Sequence, residues 1–277
     1  YHNFIENHFN PYFGKSKAIY LTSERIQNFI LEKSYLSEKT VHDMLSVLIQ
    51  IIKYGQSKHY IGYFDFEAVK YPKIPYTELP VLKKSEVTRL VHYLQCTFEV
   101  QKIGVLLSLF MGIRIGEICA LQWQDVNFAV ESIRIEKTMQ RLKNLDDHEP
   151  TKTRIVIDVP KSQKSIRTIP IPSFLLELLK KYKSDENAYL LTGTVHYIEP
   201  TVYERMFSKY LEEAEIEHTN FHALRHTFAT SAVEQGFDIK SLSELLGHSS
   251  VTFTMERYVH PSDMHKKMNL EKMKVFY

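Results

Sequence analysis

The chain has 277 residues, 44% of them hydrophobic and 25% charged, with 9 Gly and 10 Pro. Those proportions exclude a disordered or fibrous protein and suit about two globular domains. The net charge is only +2, and the longest nearly apolar run, Ile103 to Ile113, is far short of the ~20 residues of a membrane-spanning helix. No basic-then-apolar leader opens the sequence, so a cytoplasmic protein with no membrane partner is expected.

The first seventy residues read as helices. Thr22 is placed to cap a helix through Ile26, Phe29 and Ile30. A longer helix is predicted from about Ser37, because Val41, Met44, Leu45, Leu48, Ile49 and Ile52 recur at offsets of three and four. Such a stripe forms the core of a small bundle. Three prolines, at 72, 75 and 80, then forbid a continuous helix. The sequence therefore divides into a helical domain over 1–72, a linker over 73–82, a second domain over 83–260 and a C-terminal tail over 261–277.

Helices are predicted again over Ser85–Leu94 and Ile103–Leu121, after which the period changes to two. Ile133 and Ile135, then Ile155, Ile157 and Val159, then Ile166 and Ile169 read as strands of one small antiparallel sheet, with a polar turn over Lys143–Pro150. Residues 137–183 hold eleven Lys/Arg against five Asp/Glu, a local +6 that leaves −4 on the remainder. That asymmetry suits a polyanion on one face, and a solvated charged hairpin equally well. From Phe174 onward helical periodicity returns. The fold class expected is mainly α with a small antiparallel sheet. Cys96 and Cys119, far apart in helical patterns, read as reduced core residues.

Four stretches concentrate reactive side chains. Arg114, in Gly112-Ile113-Arg114-Ile115-Gly116-Glu117, sits within an apolar helical pattern where a guanidinium is costly without partners. Glu117, one turn on, can hold it, or the fork can face a phosphate. Lys161 to Arg167, with Lys161 and Lys164, lies at a turn between strands. His222, Arg225 and His226 are spaced to share a helix face, and His248 is followed ten residues later by Tyr258. The histidine spacing also fits zinc, but the glutamate of a zinc-protease helix is missing and no third ligand is evident.

Arg, then Lys in a hairpin, then His-x-x-Arg, then His, then Tyr is the motif order of the tyrosine recombinases, the phage and transposon integrases. The sequence resembles that family over nearly its whole length. Met111 to Glu117 is similar to its first arginine box, His222 to Thr230 to its second, and Leu246 to Ser250 with Arg257-Tyr258-Val259-His260 to its last histidine and nucleophile. The segment Thr138-Met139-Gln140-Arg141 is most like integrases of conjugative transposons in Gram-positive bacteria. Met111 and Ala223 depart from the residues usual there, at positions not expected to do chemistry.

The resemblance implies a two-domain DNA clamp and a site-specific recombinase that cleaves and rejoins DNA through a 3′-phosphotyrosyl bond, without metal, cofactor or ATP. Carried over, Tyr258 is the nucleophile, Arg114 and Arg225 hold the phosphate, and His222 and His248 assist. Lys161 is the general acid, with Lys164 and Lys152 as rivals. Glu117 is assigned to holding Arg114, and His226 and His260 to structure. Lys15, Lys17, Lys39 and Lys58 in the helical domain, and Arg141, Lys143, Lys164 and Arg167 in the basic window, are candidate DNA contacts. The partners implied are double-stranded DNA at attachment sites or transposon ends, three further copies of the chain in a tetramer joined by the tail, and an accessory DNA-bending or excision factor. A type IB topoisomerase uses nearly the same constellation, and a regulator could keep the fold without catalysis; strand exchange between two duplexes separates these readings.

Overall fold

The computed structural model describes residues 1–277 except 76–78, 97–98, 145–150, 160–162, 260–266, 268–269 and 272–277, and the side chains of residues 19 and 163. Lys161, His260 and most of the tail thus lie outside the described residues. The chain divides into two compact units, Tyr1–Glu78 and Leu79–Tyr277.

Among the described residues, the regular elements of the first unit are all helical. Helix α1 (His2–Phe4), a π-helical turn (Ile5–Phe9) and α2 (Asn10–Phe13) follow one another, then come α3 (Ser23–Glu32) and α4 (Glu38–Ser57). The two longer helices start where the sequence provides an oxygen for their first free N–H groups: Thr22 accepts from the Arg25 amide and Ser37 from that of Thr40, both at 3.2 Å. The α4 stripe faces inward, and Val41, Met44, Leu45, Leu48, Ile49 and Ile52 are all buried. Phe29 of α3 meets the rings of Phe9, Tyr12 and Phe13 at 5.1–5.9 Å. Each such side chain stabilises the unit by roughly 1.5–3 kcal/mol through its burial.

The second unit begins before its first helix. Residues 79–82 belong to it although the prolines suggested a linker there: Leu82 is buried, and its amide donates to Thr227 Oγ1 at 2.8 Å. Helix α5 (Lys84–Cys96) leads to α6 (Ile103–Met111), which is buried along nearly all its length. Cys119 is buried, whereas Cys96, expected in the core, is exposed at the end of α5 with Sγ 3.5 Å from His92 Nε2.

The helix expected over Ile103–Leu121 is two helices. Gly112 adopts φ +66° and ends α6, Ile113 and Arg114 are extended or turned, and α7 (Ile115–Ala120) starts with Arg114 as its cap residue. The apolar run hides the break, but Gly112 and the Arg114-x-x-Glu117 spacing carry it. Only glycine takes a left-handed backbone without strain, and a glutamate three residues past a cap reaches back to the cap N–H, here at 3.0 Å.

The strands form two sheets rather than one. Antiparallel β1 (Val126–Asn127), β2 (Ser132–Ile135) and β5 (Arg167–Pro170) lie in the order β1-β2-β5, with Ile133 opposite both Val126 and Ile169 and buried in the core. β3 (Thr138–Lys143) and β4 (Thr153–Asp158) make a separate hairpin, paired from Thr138↔Asp158 to Lys143↔Thr153. Its alternation buries only Met139, because one face of an isolated hairpin has nothing to cover it. Helices α8 (Ser173–Tyr182), α9 (Pro200–Glu213), α10 (His222–Glu234), α11 (Ile239–Leu246) and α12 (Val251–Tyr258) complete the unit. No described helix is long and apolar enough to cross a membrane.

Candidate active site

The candidate residues come from four places in the second unit: Arg114 from the α6–α7 junction, His222 and Arg225 from the first turn of α10, His248 from the α11–α12 turn and Tyr258 from the end of α12. Two left-handed glycines prepare their meeting. Gly112 ends α6 and Gly247, at φ +64°, ends α11. In the turn after α11 the His248 amide bonds back to the Ser243 carbonyl at 3.0 Å, a Schellman closure that fixes where His248 projects. The carbonyl ends of the two helices then receive one guanidinium. Arg225 donates from Nη1 to Gly112 O at 2.5 Å and from Nη2 to Leu246 O at 2.6 Å. Helix C-termini carry partial negative charge, which offsets the burial of a cation at 1% exposure.

Arg225 Nη2 also lies 3.0 Å from His248 Nε2. A guanidinium can only donate, so Nε2 accepts, and the ring hydrogen sits on Nδ1. From there it reaches Thr254 Oγ1 at 2.8 Å. Burial first, and then the Arg225 and Arg114 charges, hold the His248 imidazole down at about 3, so it is neutral at ordinary pH. Thr254 was not singled out from the sequence. The signal was present, since it precedes Tyr258 by four positions and so shares its face on α12.

A second network lies beside the first. Glu117 Oε1 accepts from Arg114 Nη1 at 2.8 Å and Arg167 Nη1 at 3.0 Å; Oε2 accepts from the Arg114 amide at 3.0 Å and Arg167 Nη2 at 2.8 Å. Both oxygens are therefore fully engaged. Burial alone would raise this carboxyl, but the hydrogen bonds and charge of Arg167, and then Arg114, hold it down at about 2. Arg114 keeps a partly exposed side chain, with Nη2 3.4 Å from Gly247 O.

Arg167 was expected at DNA and is turned inward instead. Its side chain is 6% exposed, paired with Glu117, and its Nε donates to Leu245 O at 2.6 Å. No sequence signal pairs residues fifty positions apart. The other DNA candidates are exposed: Lys15, Lys17, Lys39 and Lys58 in the first unit, Arg141, Lys143 and Lys164 in the second. Lys39 lies 3.3 Å from Asp43, and Arg141 is bonded to Thr153 at 2.7 Å and to Glu199. Lys164 Nζ donates to Ser249 O at 2.8 Å, which brings it beside the His248 turn.

Tyr258 is 6% exposed. Its ring stacks on His248 at 6.2 Å with 2° between the planes, and its hydroxyl lies 2.9 Å from His226 Nδ1. Burial raises the phenol, and the Arg225, Arg257 and Arg114 charges pull it part of the way back. The His222 ring meets His226 edge-on at 4.6 Å. Loss of solvation around the ring, then the Arg225 and Arg114 charges, lower His222 to about 4. Among the described residues no three His, Cys, Asp or Glu side chains gather as metal ligands would. Two guanidiniums, two imidazoles and a phenol gathered at one place form an arrangement that can hold an anion with two non-bridging oxygens beside an oxygen nucleophile.

Residues 80–265 match the model of the phage integrase family. The chain is 27% identical to the tyrosine recombinase XerC-like protein of Caldanaerobacter subterraneus subsp. tengcongensis, over 94% of this chain and 72% of that one. It is 24% identical to the ICEBs1 integrase of Bacillus subtilis, over 92% and 71%. Among solved structures it is similar in fold to the Tn1549 transposon integrase in complex with a circular intermediate DNA, with a TM-score of 0.71 at 20% identity, covering 91% of this chain and 86% of that one.

Proposed function

The chain belongs to the phage integrase family and is a tyrosine recombinase, and from that premise we propose that it integrates and excises a mobile element by exchanging strands of duplex DNA at the element's ends. The observation that carries the residue assignment is the convergence of Arg114, His222, Arg225, His248 and Tyr258 on one point of the second unit.

Tyr258 Oη attacks the phosphorus of one phosphodiester. The new Oη–P bond leaves the 3′ side of the DNA on the protein, and the P–O5′ bond breaks to free a 5′-hydroxyl. Arg114, already aimed by Glu117, holds the non-bridging oxygens as negative charge builds, and Arg225 supports the same charge from below. Two fixed guanidiniums supply the charge that a divalent ion would otherwise bring. His222 hydrogen-bonds the phosphate, and neutral His248, tied to Arg225 and Thr254, assists by holding the Arg225 guanidinium in place. Lys161 protonates the departing 5′-oxygen, with Lys164, placed at the His248 turn, as the alternative. Because the phosphotyrosyl bond conserves the ester, a 5′-hydroxyl from the second duplex religates without ATP.

Exposed lysines of both units bind phosphates along the duplex, so affinity falls steeply with salt. Four copies act together, with the tail of one seated on the next and an accessory DNA-bending or excision factor setting direction. The protein works where the chromosome lies, in the bacterial cytoplasm. The test is a nicked duplex carrying the element's ends, incubated with the protein in EDTA and resolved on a denaturing gel. A covalent adduct that disappears in Tyr258→Phe, and strand transfer to a second duplex, support the reading. An adduct that survives Tyr258→Phe overturns the assignment, and relaxation of supercoils without strand transfer overturns recombination.

A further inference from the structure

His226 does not belong to the set that holds the phosphate, and its type and position suggested only a structural role. Its contacts are more specific than that. The side chain is 5% exposed, on the second turn of α10, and its Nδ1 lies 2.9 Å from the Tyr258 hydroxyl in a buried bond. Its ring is tilted 49° to that of Tyr258 at 5.7 Å, and the edge of His222 fixes its other side. Of the histidines at the site, it is the one whose hydrogen bond reaches the oxygen that must attack.

We infer that His226 is the general base of strand cleavage, taking the Tyr258 proton on Nδ1 as Oη bonds to phosphorus and returning it when the strand is rejoined. The inference rests on the recombinase reading above. In cleavage the Oη–H electron pair becomes the new Oη–P bond, the proton moves to Nδ1, and P–O5′ breaks with its electrons on O5′, which takes its own proton from the lysine acid. Rejoining runs the same transfers backward.

Three features suit the role. The phenol is held in its protonated form by burial, and with the His226 ring hydrogen on Nε2 its O–H donates to Nδ1, the tautomer that the transfer requires. His226 is neutral over the working range, because burial first and then His222, Arg257 and Arg225 bring it down to about 4. His248 cannot serve, because its Nε2 lone pair is committed to Arg225 and its Nδ1 hydrogen to Thr254. The groups around His226 are few. His222 and Arg225 lie on its own helix, Arg257 and Tyr258 on α12 and His248 in the preceding turn, while α6, packed against α10, carries no titratable residue. On α11, Lys240 and Glu244 are exposed.

His226→Asn tests the assignment, because asparagine keeps a hydrogen-bonding atom near Nδ1 but has no basic one. Single-turnover adduct formation on the nicked duplex is followed from pH 5.5 to 9, with Tyr258 and with fluorotyrosine, a more acidic phenol, inserted at 258. DNA binding by gel shift confirms that the variant is folded. A loss of ~10²-fold at pH 7 is expected, about the usual size for a general base. The loss should shrink as pH rises, and at least tenfold on fluorotyrosine. The wild type needs no variant: its cleavage rate should be flat from pH 5.5 to 8, because its base is already free. Full activity in His226→Asn, or a loss equal at every pH and with both phenols, overturns the inference and leaves His226 as packing. A wild-type rate that climbs tenfold per pH unit overturns it too. A wild-type protein that forms no adduct on any end sequence overturns the recombinase reading beneath it.

Discussion

On one side of the site, two arginines share one carboxylate and a third is clasped by the carbonyl ends of two helices; on the other, Tyr258, the proposed nucleophile, hangs from an eight-residue helix by one hydroxyl bond and a ring stack. The charged side is complete before any DNA arrives, with Glu117 saturated and Arg225 beneath the surface. The Tyr258 side rests on α12, a helix too short to be stable by itself in water and therefore dependent on its packing. Charge stabilisation is worth most when it costs no reorganisation, whereas a group that must form and break a bond to DNA in turn needs room to adjust. The difference teaches which mutations should damage the frame and which only the chemistry.

The sharpest way to break the contrast is at Glu117. Glu117→Gln leaves buried Arg167 and partly exposed Arg114 against a neutral amide, and breaking a buried pair such as Arg167–Glu117 costs about 3–5 kcal/mol. Urea unfolding should show that loss, and cleavage should fall with it as Arg114 loses its aim. Unfolding at the wild-type midpoint would mean that the carboxylate does not organise this side.

Acid should act on both sides, in separate windows. The three site histidines have folded values well below their ordinary value of 6.5, at about 4, 4 and 3. The unfolded chain binds their protons first, so their contribution is full above 6.5 and drains away as pH falls toward 4. Buried His226 should cost ~1 kcal/mol per pH unit there, and exposed His222 the least. Glu117, lowered from 4.5 to about 2, is stabilising above 4.5 and loses its share only below that. Thermal unfolding between pH 7 and 4.5 should therefore drop before Glu117 is protonated, and a flat profile would refute the neutral histidines.

Arg167 separates frame from DNA contact. Arg167→Met should cost about 2 kcal/mol by leaving part of Glu117 unpaired, while changing DNA affinity less than about twofold and leaving its salt slope intact. A slope reduced by about one unit would restore Arg167 to the DNA face. Thr254→Val is the mildest change. It conserves shape but strands the His248 N–H, for about 1 kcal/mol and a modest loss of cleavage.

Much of the frame could be read from residues alone. The α4 stripe, the start of its helix near Ser37 and the oxygen cap at Thr22 are local, and so were legible. That Arg114, His222, Arg225, His248 and Tyr258 would gather at one place was legible too, because their order and spacing resemble those of a known family. What escaped is pairing over distance. Arg167 reads as one more basic residue until the fold brings Glu117 to it, and Thr254 as a helix hydroxyl until His248 turns back. The break at Gly112 escaped for a different reason: the apolar run continues through it, so periodicity outvoted the one residue able to end α6. Cys96 looked like core because its neighbours are helical, and the helix ends before burying it.

The central claim is that Tyr258, one of 17 tyrosines, carries the DNA. Trypsin cuts after Arg257, so digestion of the trapped adduct, followed by nuclease and mass spectrometry, gives a peptide that begins at the residue in question. A nucleotide mass on Tyr258 is the predicted result. The same mass on any other tyrosine, or on a serine, would contradict the site as assembled from these residues.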